Sequence, residues 1–145
     1  MQELIKHLDP HFEYIDQTMQ GDVLVIRVKS DREEVECPYC RHLSTRVHAT
    51  NERVLQDLPT MGSKTRIVLA QRKMKCTNPE CSHKTFSERF ESFVPYARRT
   101  KRLDDKALDL ALNTSALSAS CSLRDGICDV GKSTLCEMLK KRSRD

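Results

Sequence analysis

The stretch Cys37-Pro-Tyr-Cys40, answered 35 residues later by Cys76-Thr-Asn-Pro-Glu-Cys81, decides how this sequence folds. Two close cysteine pairs, spaced C-x2-C and C-x4-C, are the arrangement by which turns at separate places in a chain bring four thiolates to one tetrahedral zinc ion. Pro38 and Pro79 favour such turns, because the proline ring fixes its own φ. If Cys37, Cys40, Cys76 and Cys81 fill all four positions, no site is left open for a catalytic water, so zinc is expected to hold the fold and not to perform chemistry. His42, His48 and His83 are near enough to be rival ligands. Four thiolates suffice, however, and the histidines are expected at the surface or in hydrogen bonds. The competing reading is four unrelated reduced thiols.

Outward from the cysteines, the 35-residue interval offers two strands, near Arg46 to Leu55 and Thr65 to Lys75, joined through Leu58-Pro-Thr-Met-Gly62. A β-ribbon of this kind would bring the two pairs together. In the later strand, Gln71, Lys73 and Lys75 alternate with Arg72 and Met74, which predicts a positively charged face on the hairpin. Before the first pair, Leu4, Ile5 and Leu8 mark a short amphipathic helix, and the β-branched run Gly21–Lys29 marks a strand. After Lys101 the period becomes helical. Leu103, Ala107, Leu110 and Ala111 share one helix face, Ser115 caps a second helix with Ala116, Ala119 and Leu123 inward, and a third places Leu135, Met138 and Leu139 inside. The predicted class is α+β: an N-terminal segment (1–36) with a strand leading into a zinc-ribbon-like β module (37–94), then a three-helix helix-turn-helix unit (95–145) with a basic tail.

The 145 residues carry a net charge of +4, but the sign is unevenly spread. Residues 1–36 hold four basic and nine acidic side chains, net −5, and residues 37–145 hold 21 basic and 12 acidic, net +9. Such a basic second part points to a polyanionic partner, although an ordinary solvated surface would have the same composition. Four thiolates and one zinc would lower the total from +4 to +2, so distribution matters more than sum. No apolar run reaches membrane-spanning length, and the N-terminus lacks the pattern of a signal peptide, so a cytoplasmic protein with reduced cysteines is expected. Cys121, Cys128 and Cys136 are unpaired in spacing and read as small core or partly exposed thiols.

Gly126-Ile-Cys-Asp-Val-Gly-Lys-Ser133 matches the phosphate-loop pattern G-x-x-x-x-G-K-[ST] letter for letter. A phosphate loop needs a buried strand to deliver it to a helix N-terminus. Here a capped helical segment precedes it, so the match is expected to be fortuitous. Helix, glycine-containing turn and helix instead form a helix-turn-helix pattern, in which the second helix enters the DNA major groove. The candidate DNA contacts are Lys132, Ser133, Glu137, Lys140, Lys141 and Arg142 on that helix and Arg98, Arg99, Lys101 and Arg102 on the way in. A plain helical hairpin with a solvated face has the same periodicity, and a zinc-dependent protein-interaction adaptor is the competing functional class.

The order of these motifs resembles a family. The residues Cys37-Pro-Tyr-Cys40, Arg46-Val-His48, Leu55-Gln-Asp-Leu-Pro59, Arg72 to Cys81 and His83-Lys-Thr-Phe-Ser-Glu-Arg89 are similar to the N-terminal zinc-binding region of ISL-three family insertion-sequence transposases. Pro95 to Leu103 and the helices of Ser115 to Lys140 resemble the helix-turn-helix that follows. The resemblance implies zinc on the four cysteines, double-stranded DNA as partner, recognition of an element's terminal inverted repeats, and a separate catalytic transposase chain. Two departures stand out. Gly131 replaces a serine at the start of the recognition helix, and the sequence ends at Asp145, before the family's acidic catalytic domain. The seven acidic residues after Lys101 do not form the carboxylate set that two-metal phosphodiester chemistry needs, so the chain is expected to bind DNA with no catalytic residues of its own.

Overall fold

A computed structural model describes residues 1–144, with the side chains of Ser143 and Arg144 outside the description. Helix α1 (Gln2–Leu8) is followed by β1 (Phe12–Gln20), β2 (Val23–Ser30), the short strands β3 (Val35–Glu36) and β4 (Leu43–Ser44), the long pair β5 (Val47–Thr60) and β6 (Ser63–Lys75), β7 (Thr85–Ser87), and then α2 (Lys101–Asn113), α3 (Ala116–Arg124) and α4 (Lys132–Arg144). The class is α+β with a mixed sheet, as expected. Among the described residues no helix is long and apolar enough to cross a membrane.

The sheet runs β1-β2-β6-β5, with β7 pairing to the far end of β6. Strand β2 is parallel to β6, from Val23 opposite Lys64 to Lys29 opposite Ala70. A parallel pair needs a long crossover, and the chain supplies one by passing through β3, β4 and β5 between the two. The N-terminal strands and the hairpin expected to carry the metal therefore lie in one sheet, across the boundary expected at residue 36. They also share one core: Ile5 from α1, Phe12, Leu24, Ile26, Val28, Leu55, Ile67 and Leu69 from the strands, and Phe90 and Phe93 from the segment after β7. Burying each of these side chains is worth about 1.5–3 kcal/mol.

The β5–β6 connection is tighter than the sequence suggests. Its turn is Met61-Gly62, with φ of 51° and 82°, between the paired Thr60 and Ser63. Two successive positive φ values match the twist of a two-residue hairpin. Leu58 and Pro59 lie within β5 at a register irregularity between Asp57 and Thr60, where a proline without an N–H fits. On the side of β6 opposite Lys73 and Lys75, Arg72 is drawn into an ion cluster around Glu88.

Glu88 is buried, and its carboxylate accepts hydrogen bonds from Arg72 Nε (3.2 Å) and Nη2 (3.0 Å), Arg32 Nη1 (3.3 Å) and the Ser30 hydroxyl. Arg72 Nη2 also reaches the Arg32 carbonyl at 2.9 Å, and Arg32 Nη1 the Arg89 carbonyl at 2.7 Å. One carboxylate thus gathers the ends of β2 and β6, the loop after β2 and the segment after β7. Removing it strands two partly buried guanidiniums. Glu88→Ala is expected to cost about 3–5 kcal/mol in urea unfolding; a loss below about 1 kcal/mol would mean that both arginines rehydrate freely.

Helices α2, α3 and α4 enclose a second core of Leu103, Ala107, Ala111, Ala119, Leu123, Cys128, Val130 and Leu135, which includes most of the predicted inward positions. Ser115 caps α3 by accepting from the Ser118 amide at 3.1 Å. Strand β5 joins this unit to the sheet. Gln56 exchanges backbone hydrogen bonds with Arg98 and Thr100, and buried Asp57 accepts from the Thr100 hydroxyl at 2.7 Å and from Arg102.

Candidate metal centre

The four cysteines predicted as ligands converge. Their sulfurs lie within 4.8 Å of one another, with Cys37 and Cys81 3.9 Å apart and Cys40 and Cys76 3.5 Å apart. A tetrahedral zinc with Zn–S bonds of about 2.3 Å would space its sulfurs about 3.8 Å apart, so the donor set fits that ion in chemistry and in size. All seven cysteines are free thiols. Among the described residues, this is the one group of three or more potential ligands brought together.

Each pair sits on a turn whose backbone is already committed. The Cys37 amide donates to the His42 carbonyl (3.0 Å) and the Arg41 amide to the Cys37 carbonyl (2.8 Å), which closes the tip of the β3–β4 hairpin. Arg41 adopts a left-handed φ of 64°, a conformation that glycine would take at less cost. On the second turn the Cys76 amide donates to the Lys84 carbonyl (2.8 Å), the Cys81 amide to the Asn78 carbonyl (3.2 Å), and the Asn78 side chain accepts from the Glu80 amide (3.1 Å). Buried Ser44 donates to the Lys75 carbonyl and ties one turn to the strand carrying the other. A small core of Val35, Cys37, Met74 and Phe86 backs the cluster. Since Ile67 and Leu69 face the main core while Met74 faces this one, β6 changes its buried side between residues 69 and 74.

The thiols do not share their protons evenly. The His42 backbone N–H draws the Cys40 thiol down to about 6. At Cys76 the Asn78 N–H acts in the same direction, but desolvation and the neighbouring thiols of Cys40, Cys81 and Cys37 outweigh it and push the group up to about 12. Cys81 is likewise raised, by desolvation and by Cys40 and Cys37 against the pull of the His83 N–H. A second thiolate is disfavoured beside the first unless a cation joins them.

Outside the tetrad, Tyr39 from the first turn stacks on His83 from the second, with ring centroids 3.5 Å apart and planes 7° from parallel. Nothing in the spacing of the sequence marks this contact, which clasps the two turns. His83 thus sits in a stack, not at the metal. Buried Cys128 is a core thiol, pushed up by desolvation, whereas Cys121 is exposed and Cys136 half-buried.

The residues expected to meet DNA divide into two groups. Arg98, Lys101, Lys132, Ser133, Glu137, Lys140, Lys141 and Arg142 are exposed; Ser133, Glu137, Lys140 and Lys141 share the side of α4 opposite Leu135, whereas Arg142, four residues after Met138, lies on the other side. Arg99 instead pairs with Asp104 at 2.6 Å, and Arg102 pairs with buried Asp57. The side chain of Arg144, part of the expected basic tail, lies outside the described residues. The phosphate-loop look-alike is a helix–helix connection preceded by α3. Its Ile127 and Cys128 amides donate to Leu123, its Asp129 amide to Gln56 Oε1, and Cys128 and Val130 turn into the helical core. Three amides that a phosphate would require are therefore already used.

A β-ribbon closed by four cysteines defines a zinc-ribbon class of module. Residues 33–81 match the family model described as the zinc-finger of transposase IS204/IS1001/IS1096/IS1165, which bears out the resemblance to an ISL-three-type N-terminal zinc region over that segment. No curated protein and no solved structure matches the chain.

Zinc binding is expected at one ion per chain. Because Cys76 and Cys81 hold their protons at neutral pH, loading should release at least those two, and affinity should fall steeply on acidification toward pH 6; titration in buffers of different ionisation enthalpy measures this. Chelation should remove amide protection from residues 35–46 and 74–87, while β1, β2 and residues 53–69, which draw on the main core, stay protected in hydrogen exchange. Collapse of the whole sheet on chelation would contradict that division.

Proposed function

We propose that the chain is a zinc-stabilised DNA-binding module, resembling the end-recognition part of a transposase, that acts by binding a site and not by catalysis. The sheet with its metal clip and the helical unit are two working parts. Helices α3 and α4 serve as a helix-turn-helix and α4 as the recognition helix. The observation that carries the reading is the exposed polar side of α4, where Ser133, Glu137, Lys140 and Lys141 stand opposite buried Leu135, with Lys132 and Arg142 exposed near its two ends. The match of residues 33–81 to a transposase zinc finger supports a DNA partner.

The connection between α3 and α4, residues 125–131, is longer than the usual turn of three or four residues. Its extra length is absorbed by Cys128 and Val130 in the core and by the Ser120 hydroxyl bonded to the Val130 carbonyl at 2.7 Å. Exposed Arg98 and Lys101 would follow phosphates beside the groove, while Arg99 and Arg102, held by carboxylates, orient the entry to α2. The DNA target would be the terminal inverted repeats of an insertion element, and cutting and joining would fall to a separate catalytic transposase chain. A zinc-dependent adaptor is the second reading, favoured by Ile15 and Val54, which are exposed on strands.

Fluorescence anisotropy of the zinc-loaded chain on a terminal-repeat duplex and on a scrambled duplex, across a salt series, tests the proposal. Tighter binding to the repeat at every salt is expected, with log K falling linearly in log salt. Lys132→Ala and Lys141→Ala should each reduce that slope by about one. Salt-independent or absent binding would favour the adaptor.

A further inference from the structure

The chain has seven aromatic side chains and no tryptophan, yet four of them, Tyr39, Phe90, Phe93 and Tyr96, line a single cavity of about 110 Å³ beside the metal turns. Phe90 and Phe93 form its buried floor, their rings stacked with centroids 5.7 Å apart. Two arginines stand in the wall, beside Gln71 and Glu88, whose carboxylate is already engaged by Arg72 and Arg32. Arg53 is held over the Phe93 ring at 5.8 Å and donates to the Ala97 carbonyl, and Arg89 lies over Tyr39 at 5.8 Å. Tyr96 stands apart from the packing: it is 91% exposed and has a left-handed φ of 65°. The exposed ring contributes nothing to the core, and unlike Arg41 and Met61 this left-handed residue does not sit at the tip of a hairpin.

Tyr96 also borders a second, wider groove of about 480 Å³ between the 94–99 segment, α2 and α4. Arg98, Lys141 and Arg142 line that groove together with the paired Arg99 and Asp104 and with Asp105, so its lining keeps a net positive charge, and Leu108 and Met138 form part of its floor. An aromatic slot with room for one planar ring system thus opens on one side of Tyr96 and a basic channel on the other. Faces of aromatic rings beside arginine, next to a cationic track, are what an unpaired nucleotide requires: the base stacks and the phosphates follow the positive groove. A paired base inside a duplex could not enter the slot.

We propose that this cavity receives one unpaired DNA base, stacked on Tyr96 and flanked by Arg89 and Arg53, while the adjoining phosphates lie along Arg98, Lys141 and Arg142. The site rests on the DNA-binding reading, shares Arg98, Lys141 and Arg142 with it, and adds a preference for DNA ends or junctions that expose a single strand.

The test uses the zinc-loaded full chain and three probes: a blunt duplex, the same duplex with a short single-stranded tail bearing 2-aminopurine, and the tail alone as a short oligonucleotide. The tailed duplex should bind about tenfold tighter than the blunt one, with a change in 2-aminopurine fluorescence on binding. Tyr96→Ala should reduce tailed binding to the blunt level and leave blunt binding unchanged, and Tyr96→Phe should keep the preference. Zinc content and circular dichroism of each variant report that it is folded. Equal affinity for tailed and blunt duplex, or a preference that survives Tyr96→Ala, overturns the base slot while leaving duplex recognition standing. Tyr96-dependent binding of the tail alone, with no binding of blunt duplex, would keep the slot and remove the duplex reading.

Discussion

Four sulfur atoms within 4.8 Å of one another set the constraint on which the ribbon depends. Left to themselves they resist ionising together, as the raised Cys76 and Cys81 thiols show, and the core behind them amounts to Val35, Cys37, Met74 and Phe86. So few buried side chains do not hold two turns in register against chain entropy. A divalent cation reverses the balance by converting four mutually repelling groups into bonds. The hydrogen bonds of the turns prepare the ligands, and the Tyr39–His83 stack closes the outer side.

Elsewhere the same chain solves its charge problem without a metal. Glu88, Asp57 and Asp9 are all buried, and each spans parts of the chain that are distant in sequence. Glu88 gathers Arg32 and Arg72, Asp57 takes Thr100 and Arg102, and Asp9 accepts the amides of His11 and Ser92 at 3.0 Å each. Arginine suits this work because its fork satisfies several acceptors at once. The consequence for function is a sorting of the basic residues. A count of arginines overstates the surface offered to a polyanion, since Arg32, Arg72, Arg99 and the more exposed Arg102 are already paired with carboxylates of the chain.

What the sequence disclosed follows the range of the forces involved. The cysteine tetrad was legible because ligand spacing is a local pattern, and the inward faces of the helices because a period of three to four residues is local too. Strand β1 was missed: in Phe12–Gln20 only Phe12 is buried, so this edge strand lacks the apolar alternation that reveals a half-buried one. The parallel pairing of β2 with β6 was invisible because it joins residues 41 positions apart, Val23 with Lys64, and no local residue type encodes it. The hairpin turn was placed too broadly because Met61 stands where asparagine or glycine usually signals two positive φ values. The ion pair of Arg102 was hidden for a related reason, since its partner, Asp57, lies 45 residues away in β5.

Gln56 shows how the two halves of the molecule acquire a fixed relation. Its backbone bonds Arg98 and Thr100, its side-chain oxygen accepts the Asp129 amide at 2.9 Å, and Lys64 on the paired strand reaches the Asp129 carboxylate at 3.3 Å. One position of β5 therefore grips both the entry to α2 and the turn before α4. The register of β5 is set by β6, from Val47 opposite Met74 to Thr60 opposite Ser63, and the last residues of β6 lead directly into Cys76. The four-cysteine cluster lies at one end of this hairpin and the turn before α4 packs against the other, so the ribbon sets the distance between them. That geometry explains why a phosphate-loop sequence can occur here without its chemistry: the Ile127 and Cys128 amides are spent on closing the end of α3 and the Asp129 amide on holding the turn to β5.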